Sequence, residues 1–549
     1  MIVKLVIFSL VLISNAPRTN CQDTTKIVTD RTFLKKILSF EPTVVEALNE
    51  YLKNEEERFK VIKKYIDNYE NRLEPHLEDV DDFLDHPLNT YEAIRHLSRE
   101  WTDLQEIIAY QSYASEGMLL NLLLDYLLAN INNIRENFEH SRFDLYNAGT
   151  SIHRLQLTYN LSIEALADGN IVAEETNDYS GLKPAKSPLT AFDCLQISLG
   201  ATEEGFLPEA GKWADSAEAK IKAGDTSSAD EYVQAQRELI EEKKNDIRSF
   251  RLYPSVNGKT TTCMKCRYYR SHENSDLTYY LYKNDQIDAD VENEMFRRLC
   301  RNKTLRFPSW DSKLKCKLET RNNSYLLLQP IKLEIASEYP RIEIMHKIFT
   351  DKQIEKILAR AKQEEVNIFS KVNKVCSFIS SVWLSDNIGK DITQITDIIE
   401  VATGLSASDV KFNGEPYQVA NYATGGRYQP HPDHLGEDER IHPSFNEEIN
   451  ATHICGDRIA TFMIYLNEVG EGGSTVFPDI GASVVPEKGS AVFWWNMNKA
   501  GVGDDYTRHG GCPVLYGSKW IMNKWFCFRP QIFKKPCGLN EHDYHIESK

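Results

Sequence analysis

His431 and Asp433 stand two positions apart in Tyr428-Gln-Pro-His-Pro-Asp433, and His509 and Lys519 follow in the same C-terminal third of the chain. Two neutral imidazoles and one carboxylate can fill a triangular face of Fe(II), leaving the opposite positions open for a chelating 2-oxo acid and for dioxygen. A lysine ten residues beyond His509 offers an ammonium for the far carboxylate of that acid. Taken alone, the His-x-Asp pair is a weak signal. In a chain with 14 histidines it arises about once by chance, and a histidine after Pro430 reads equally well as a turn residue. His434 and His453 lie close enough to compete as ligands, and both read as surface histidines.

The segments around these residues decide how they are positioned. Residues 458 to 467 read as a buried strand, Gly470-Glu-Gly-Gly473 as a turn, and Ser490-Ala-Val-Phe-Trp-Trp495 and Gly517 to Phe528 as two further strands. Side chains alternate along a strand, so Lys519, Ile521, Asn523, Trp525 and Cys527 point the same way. A lysine sharing a face with a tryptophan and an isoleucine is not placed as an ordinary solvated charge would be.

These stretches resemble the catalytic domain of the collagen prolyl 4-hydroxylase α-subunit family. The resemblance is carried by Gln418-Val-Ala-Asn-Tyr422, Gly425-Gly-Arg-Tyr-Gln-Pro-His431, Gly456-Asp-Arg-Ile-Ala-Thr461, Thr475-Val-Phe-Pro478, Gly481-Ala-Ser483 and Cys512-Pro-Val-Leu515, all in one order. It implies a double-stranded β-helix, or jelly-roll, dioxygenase that uses Fe(II), 2-oxoglutarate and O2, with L-ascorbate restoring oxidised iron. His431, Asp433 and His509 would then be the iron ligands and Lys519 the 2-oxoglutarate anchor, with Tyr422, Thr461 and Trp525 lining the pocket. Related lysyl hydroxylases use an arginine at the Lys519 position, so this lysine favours the prolyl branch. The resemblance also implies two local disulfides, Cys300 with Cys316 and Cys512 with Cys537. Where the family has a histidine and a Glu-Arg-Gly stretch, this chain has Cys527-Phe-Arg-Pro530.

The whole is read as a multidomain α+β protein. The expected organisation is a signal peptide over 1–21, a helical dimerisation domain over 22–145, a tetratricopeptide-like peptide-binding domain over 146–250, a linker region with a disulfide over 251–335, and the dioxygenase domain over 336–549. The first of these rests on Lys4 followed by an apolar run to Ile13 that is too short to span a membrane. From Asp30 to about Ile134, apolar residues recur at three- and four-residue spacing, for example Phe59, Ile62, Ile66, Tyr69 and Leu73. Phe83 to Asn89 and Leu97 to Leu104 resemble the family's dimerisation segment, while periodicity alone fits an ordinary helical bundle as well. Short helices around Leu155, Ala191 and Trp213 suggest stacked hairpins, which in the family bind a polyproline II peptide on groove tyrosines. Here Thr202, Leu207 and Pro208 stand at those positions, so the expectation is a changed proline-binding face.

A net charge of -17 argues against a surface that tracks nucleic-acid phosphates. No segment after the leader reads as a membrane span. Eleven cysteines and sequons at Asn160, Asn302, Asn322 and Asn450 suit an oxidising lumen, and Cys263-Met-Lys-Cys266 lacks the second pair that a zinc site needs. His545 to Lys549 does not read as a retention signal. Together with these features, the resemblance implies an endoplasmic reticulum enzyme held there by protein disulfide isomerase in an α2β2 tetramer, hydroxylating proline in collagen-like or other extended chains. The alternative is a noncatalytic peptide-binding or assembly subunit of the same fold.

Overall fold

The computed structural model describes residues 35, 38–39, 41–112, 141–176, 178–251, 289–302, 305–369, 379–435, 455–538 and 540. The leader, Cys263, Cys266, Asn450, His453 and the C-terminal His545 to Lys549 lie outside them. The chain divides into two compact units, residues 1–68 and 69–549.

The first unit is dominated by helix α1, Glu41–Arg72, which buries none of its residues. Val45, Leu48, Leu52, Phe59 and Ile66 form an exposed apolar row at three- and four-residue spacing. Such a row gains nothing in water until something covers it.

In the second unit, α2 (Pro87–Arg95), α3 (Trp101–Ser112), α4 (Ser141–Tyr159), α5 (Ala191–Glu203), α6 (Leu207–Lys222), α7 (Asp230–Arg251) and α8 (Ala289–Cys300) form the helical part. Helix α5 starts with a reciprocal capping box, Thr190 with Asp193, which satisfies two of the donors a helix start leaves open. Asp193 is fully buried and also receives a hydrogen bond from the buried Arg95 of α2. Arg95 keeps Glu92 and Glu100 beside it, so Asp193→Ala removes the helix cap and one of three carboxylates around a buried guanidinium and is expected to cost about 1–3 kcal/mol, read as a lowered unfolding midpoint, whereas Glu218→Ala on the exposed face of α6 should leave that midpoint nearly unchanged.

Thr202 and Leu207 do not lie on a peptide-facing surface. Thr202 is buried, donates to Ser198 O and accepts from Gln236 of α7 at 2.9 Å. Leu207 packs in a small core with Ala201, Ala210 and Ile240. Only Pro208 of the three is exposed. The expected change of groove face at Thr202 and Leu207 is thus corrected: the turn between α5 and α6 rotates both inward, a helix phase that residue counting cannot supply.

After α8 come β1 (Cys316–Glu319), β2 (Ile331–Ser337), β3 (Ile342–His346), α9 (Asp351–Phe369), β4 (Ile379–Leu384), α10 (Lys390–Thr403), β5 (Tyr417–Tyr422) and β6 (Tyr428–His431). They are followed by β7 (Arg458–Tyr465), β8 (Glu471–Gly472), β9 (Thr475–Phe477), β10 (Ala482–Val484), β11 (Ala491–Trp495), β12 (His509–Gly511), β13 (Val514–Tyr516) and β14 (Lys519–Cys527). An eight-stranded sheet runs β1-β2-β3-β11-β7-β14-β5-β4 and a four-stranded sheet β10-β9-β12-β6, with every pair antiparallel. This is the two-sheet arrangement of a jelly-roll.

Alternation sends the two faces of the large sheet to different cores. Leu333, Val382, Val419, Phe462, Phe493 and Met522 pack on Ile354, Ile357, Ile392, Ile395 and Ile399 of α9 and α10. The opposite face offers Tyr422, Met463, Tyr465, Trp494 and Ile521 to Phe477, Ala482 and Val484 of the small sheet. The small sheet is in turn backed by helices: Val476, Cys512 and Leu515 share a core with Leu155, Tyr159, Ile197, Trp213, Phe296 and Leu299. Tyr159 Oη donates to Pro513 O, and the Arg301 Nε donates to Thr158 O at 2.6 Å.

The disulfides differ from the expected pairs. Cys300 bonds Cys512, with Cα atoms 5.6 Å apart, and Cys455 bonds Cys527. Cys316 and Cys537 are exposed thiols. The end of α8 lies against the small sheet beside Cys512, while β1 carries Cys316 to the far edge of the large sheet. The region 251–335 is therefore tied to the catalytic sheets by its cysteine and has no local bridge among the described residues.

Candidate metal centre and cosubstrate pocket

β6 and β12 are neighbours in the small sheet, with His431 directly opposite His509 and a register irregularity beyond them. Asp433 follows two residues after His431. One donor atom each from His431, Asp433 and His509 lies within 4.8 Å of the other two, the one such cluster among the described residues. His431 Nε2 is 3.6 Å from Asp433 Oδ1 and His509 Nε2 is 3.8 Å from Oδ2. Those separations are too long for hydrogen bonds and suit three ligands facing one point.

The tautomers are fixed from behind. His431 Nδ1 is 2.9 Å from Gln429 O and His509 Nδ1 is 3.1 Å from Thr507 O. A carbonyl only accepts, so each Nδ1 carries the proton and each Nε2 keeps its lone pair for the centre. Burial pushes the His509 imidazolium down to about 4, so this ring is neutral at physiological pH. Desolvation opposes the charge on the buried Asp433, yet its carboxyl is held far below the usual range because the His509 and His431 rings charge in acid before it can be protonated. Thr461 Oγ1 donates to Asp433 Oδ2 at 2.7 Å and is itself held by Asn496 Nδ2 at 2.9 Å.

Lys519 is 2 % exposed, and among the described residues no carboxylate pairs with it. Its Nζ donates to Thr475 Oγ1 at 3.3 Å and lies 5.5 Å and 5.6 Å from the ring centres of Tyr422 and Tyr465. Burial alone drives its ammonium down to about 7. A buried lysine held by a Thr hydroxyl is poised to receive an anion.

Tyr422, Thr461, Trp525 and Lys519 all stand on one face of the large sheet, since directly opposed residues share a face and Lys519 opposes Tyr422 while Trp525 opposes Thr461. Thr461 nonetheless reaches Asp433 and not the lysine, so its place is behind the carboxylate. Tyr465, Thr475, Asn496, Phe477 and Trp494 complete the site and were not singled out from sequence. Trp494 and Phe477 lie 4.6 Å and 5.6 Å from His509. The Thr-Val-Phe-Pro stretch carried a usable signal for Thr475 and Phe477, whereas nothing in the local sequence marks Asn496.

A model of the "Prolyl 4-Hydroxylase alpha-subunit, N-terminal region" matches residues 32–173, and the "2OG-Fe(II) oxygenase superfamily" matches residues 417–527. The chain is 31% identical over 530 residues to prolyl 4-hydroxylase subunit alpha-1 of Mus musculus, covering 91% of this chain and 93% of that protein. It belongs to the prolyl 4-hydroxylase α-subunit family. The Homo sapiens subunit alpha-1 is 31% identical over 537 residues, 92% of this chain and 94% of that one. The Caenorhabditis elegans subunit alpha-2 is 28% identical over 543 residues, 92% of each chain.

For a prolyl 4-hydroxylase α subunit, the donor set fits a ferrous ion: two imidazoles and a carboxylate on one side, with an apolar wall and a buried ammonium on the other. His434 is not part of it, since its Nε2 is turned to Asp505 at 3.1 Å. Cys527 closes β14 against Cys455, just ahead of β7, so the position where the family has a histidine is occupied here by a covalent tie between the two strands that carry Thr461 and Trp525.

Proposed function

We propose that this α subunit hydroxylates proline in extended, collagen-like chains, with His431, Asp433 and His509 holding Fe(II) and Lys519 holding 2-oxoglutarate. The convergence of three ligand atoms beside a buried lysine without a carboxylate partner carries the reading. When bound, the ferrous centre supplies the activation of dioxygen coupled to decarboxylation of the 2-oxo acid. Thr461 and Asn496 fix the plane of the Asp433 carboxylate, and the two carbonyls behind the histidines hold their rings. Lys519 takes the far carboxylate as a charge-assisted pair in a dry pocket, where such a pair is stronger than at the surface. Phe477 and Trp494 keep water from one side of the centre, and His431, a third exposed, marks the side from which a peptide reaches it.

Ascorbate serves to return oxidised iron to the ferrous state. Tyr422 and Trp525 wall the cosubstrate and peptide ends of the pocket. The exposed row on α1 pairs two α subunits, and the helices from α4 to α7, each packed on the next, act as a tetratricopeptide-like platform for substrate. Lumenal residence in the endoplasmic reticulum rests on the leader and on assembly with protein disulfide isomerase as β subunit. The test is release of carbon dioxide from carboxyl-labelled 2-oxoglutarate by the complex. It should depend on Fe(II) and rise severalfold with a Pro-Pro-Gly repeat but not with a Gly-Ser repeat. Equal release with both peptides would remove proline from the account.

A further inference from the structure

The turn that delivers Lys519 is held from outside the two sheets. Tyr422 opposes Lys519 in the ladder of β5 and β14, so Thr424 and Gly517, two residues beyond them, lie together at the end of that ladder. Thr424 is 6% exposed. Its Oγ1 shares one proton among three carbonyls, those of Gly517 at 2.9 Å, Leu84 at 3.2 Å and Asp85 at 3.5 Å. The Gly517 N–H in turn donates to Asp85 O at 2.8 Å. Leu84 lies just ahead of α2 and 340 residues before Thr424.

That helical segment is itself firmly placed. His86 is 1% exposed, its Nδ1 accepts from Leu88 N at 3.2 Å, and its ring meets the Tyr516 ring edge-on at 6.0 Å. Asn89 Nδ2 donates to Phe83 O at 3.1 Å and Thr90 Oγ1 to Leu84 O at 2.6 Å. On the other side of the turn, Asn467 donates to Ser518 O and accepts from Trp520 N, both at 2.7 Å. Residues 516–518 are thus clamped between the chain just after β7 and a strut from the helical region. The lysine side chain has weaker restraints of its own: Thr475 at 3.3 Å and two tyrosine rings more than 5 Å away. On a flexible four-carbon stem, the place of Nζ is then set by the backbone of the turn.

We propose that Thr424 is a positioning residue for the 2-oxoglutarate anchor. It ties the turn before Lys519 to the Leu84 and Asp85 carbonyls, so a helical segment from far earlier in the chain sets how deep the ammonium reaches. A misplacement of about 1 Å in a group that holds substrate can cost on the order of a hundredfold. Valine at 424 keeps nearly the same shape and leaves the three carbonyls facing a methyl group, which removes the tie. The inference rests on the reading of Lys519 as the anchor and adds what holds it in place.

The experiment compares full assembled enzymes carrying wild-type, Thr424→Val, Thr424→Ser, His86→Asn, Lys519→Ala and combined Thr424→Val and Lys519→Ala chains. The readouts are the KM for 2-oxoglutarate and for a Pro-Pro-Gly repeat, kcat, and Co(II) affinity by absorption titration. Thr424→Val should raise the 2-oxoglutarate KM about tenfold, with the peptide KM, kcat and Co(II) affinity within about twofold. Thr424→Ser keeps the hydroxyl and should return the constant to within about threefold of wild type. His86→Asn keeps an acceptor at the start of α2 but removes the ring against Tyr516, and should raise the same constant about threefold. It decides the matter if Thr424→Val does not fold. Because Thr424 acts through the lysine, the combined variant should be no worse than Lys519→Ala alone. An unchanged 2-oxoglutarate KM in Thr424→Val, or in His86→Asn where only that variant folds, overturns the positioning role. Equal losses in peptide and Co(II) binding, or a full further rise in the combined variant, overturn it as well. In each of these cases a raised KM in Lys519→Ala keeps the anchor reading intact, whereas a silent Lys519→Ala sinks that reading and the inference with it.

Discussion

Asp433→Ala is expected to lower peptide-stimulated 2-oxoglutarate decarboxylation at least ~10³-fold. The substitution removes the single anionic donor from a site whose other two donors are neutral. Among the described residues Asp433 is the one carboxylate in the cluster, and the nearby Asp457 is held by the Leu435 and Arg458 backbone N–H groups. The loss should appear directly as failure to bind Fe(II) or Co(II) by absorption titration, which separates loss of the metal from loss of the peptide. Thr461→Val is the informative companion: it leaves the three donors and removes the hydroxyl that links Asn496 to Asp433. A loss of about 10–100-fold is expected there, with metal still bound. Full turnover by Asp433→Ala would end the assignment of the centre.

Lys519→Ala should leave the metal site standing and raise the 2-oxoglutarate requirement. Truncating one partner of a desolvated charge pair costs about 2–5 kcal/mol, so the KM should rise on the order of a hundredfold with a smaller change in kcat. The pH dependence has a definite sign. In the free enzyme burial holds the Lys519 ammonium down to about 7, and a bound carboxylate favours the charged form and moves it back up. Below that value the lysine is already charged and binding is indifferent to pH. Above it, binding must take up a proton, so the 2-oxoglutarate KM should climb with pH, approaching tenfold per pH unit. A KM that is flat between about pH 6.5 and 8.5, or that falls, would show that Lys519 is not the anchor.

Much of the centre was legible in the sequence because strands advertise themselves. The apolar run 458–467 and the stretch 517–528 appear as β7 and β14, and simple alternation places Lys519, Trp525 and Thr461 on one face. The remainder depends on relations that no local pattern encodes. Eleven cysteines allow far more pairings than spacing can rank, and the resemblance implies Cys300 with Cys316, whereas the fold brings Cys300 to Cys512 across 212 residues. Thr202 and Leu207 were placed by counting along helices. A small error in helix phase turns a groove residue into a core residue, and both are in the core. Nor could the sequence show that helices α4 to α8 share one apolar layer with the small sheet, which only the packing reveals.

Cys527 bears on the choice between an enzyme and a noncatalytic relative. Its departure from the family histidine leaves the ligand triad and Lys519 in place and adds a tie to Cys455 near Arg458 and Trp525. The three ligand side chains and Lys519 therefore stand as an enzyme needs them.

The most direct measurement is the mass of a Pro-Pro-Gly repeat after incubation with the assembled enzyme, Fe(II), 2-oxoglutarate, ascorbate and air, with fragmentation to locate any change. Single-oxygen additions on proline, matched mole for mole by succinate and absent with Asp433→Ala, are the expected result. Succinate formed without any oxygen on the peptide, or additions that persist in Asp433→Ala, would contradict it.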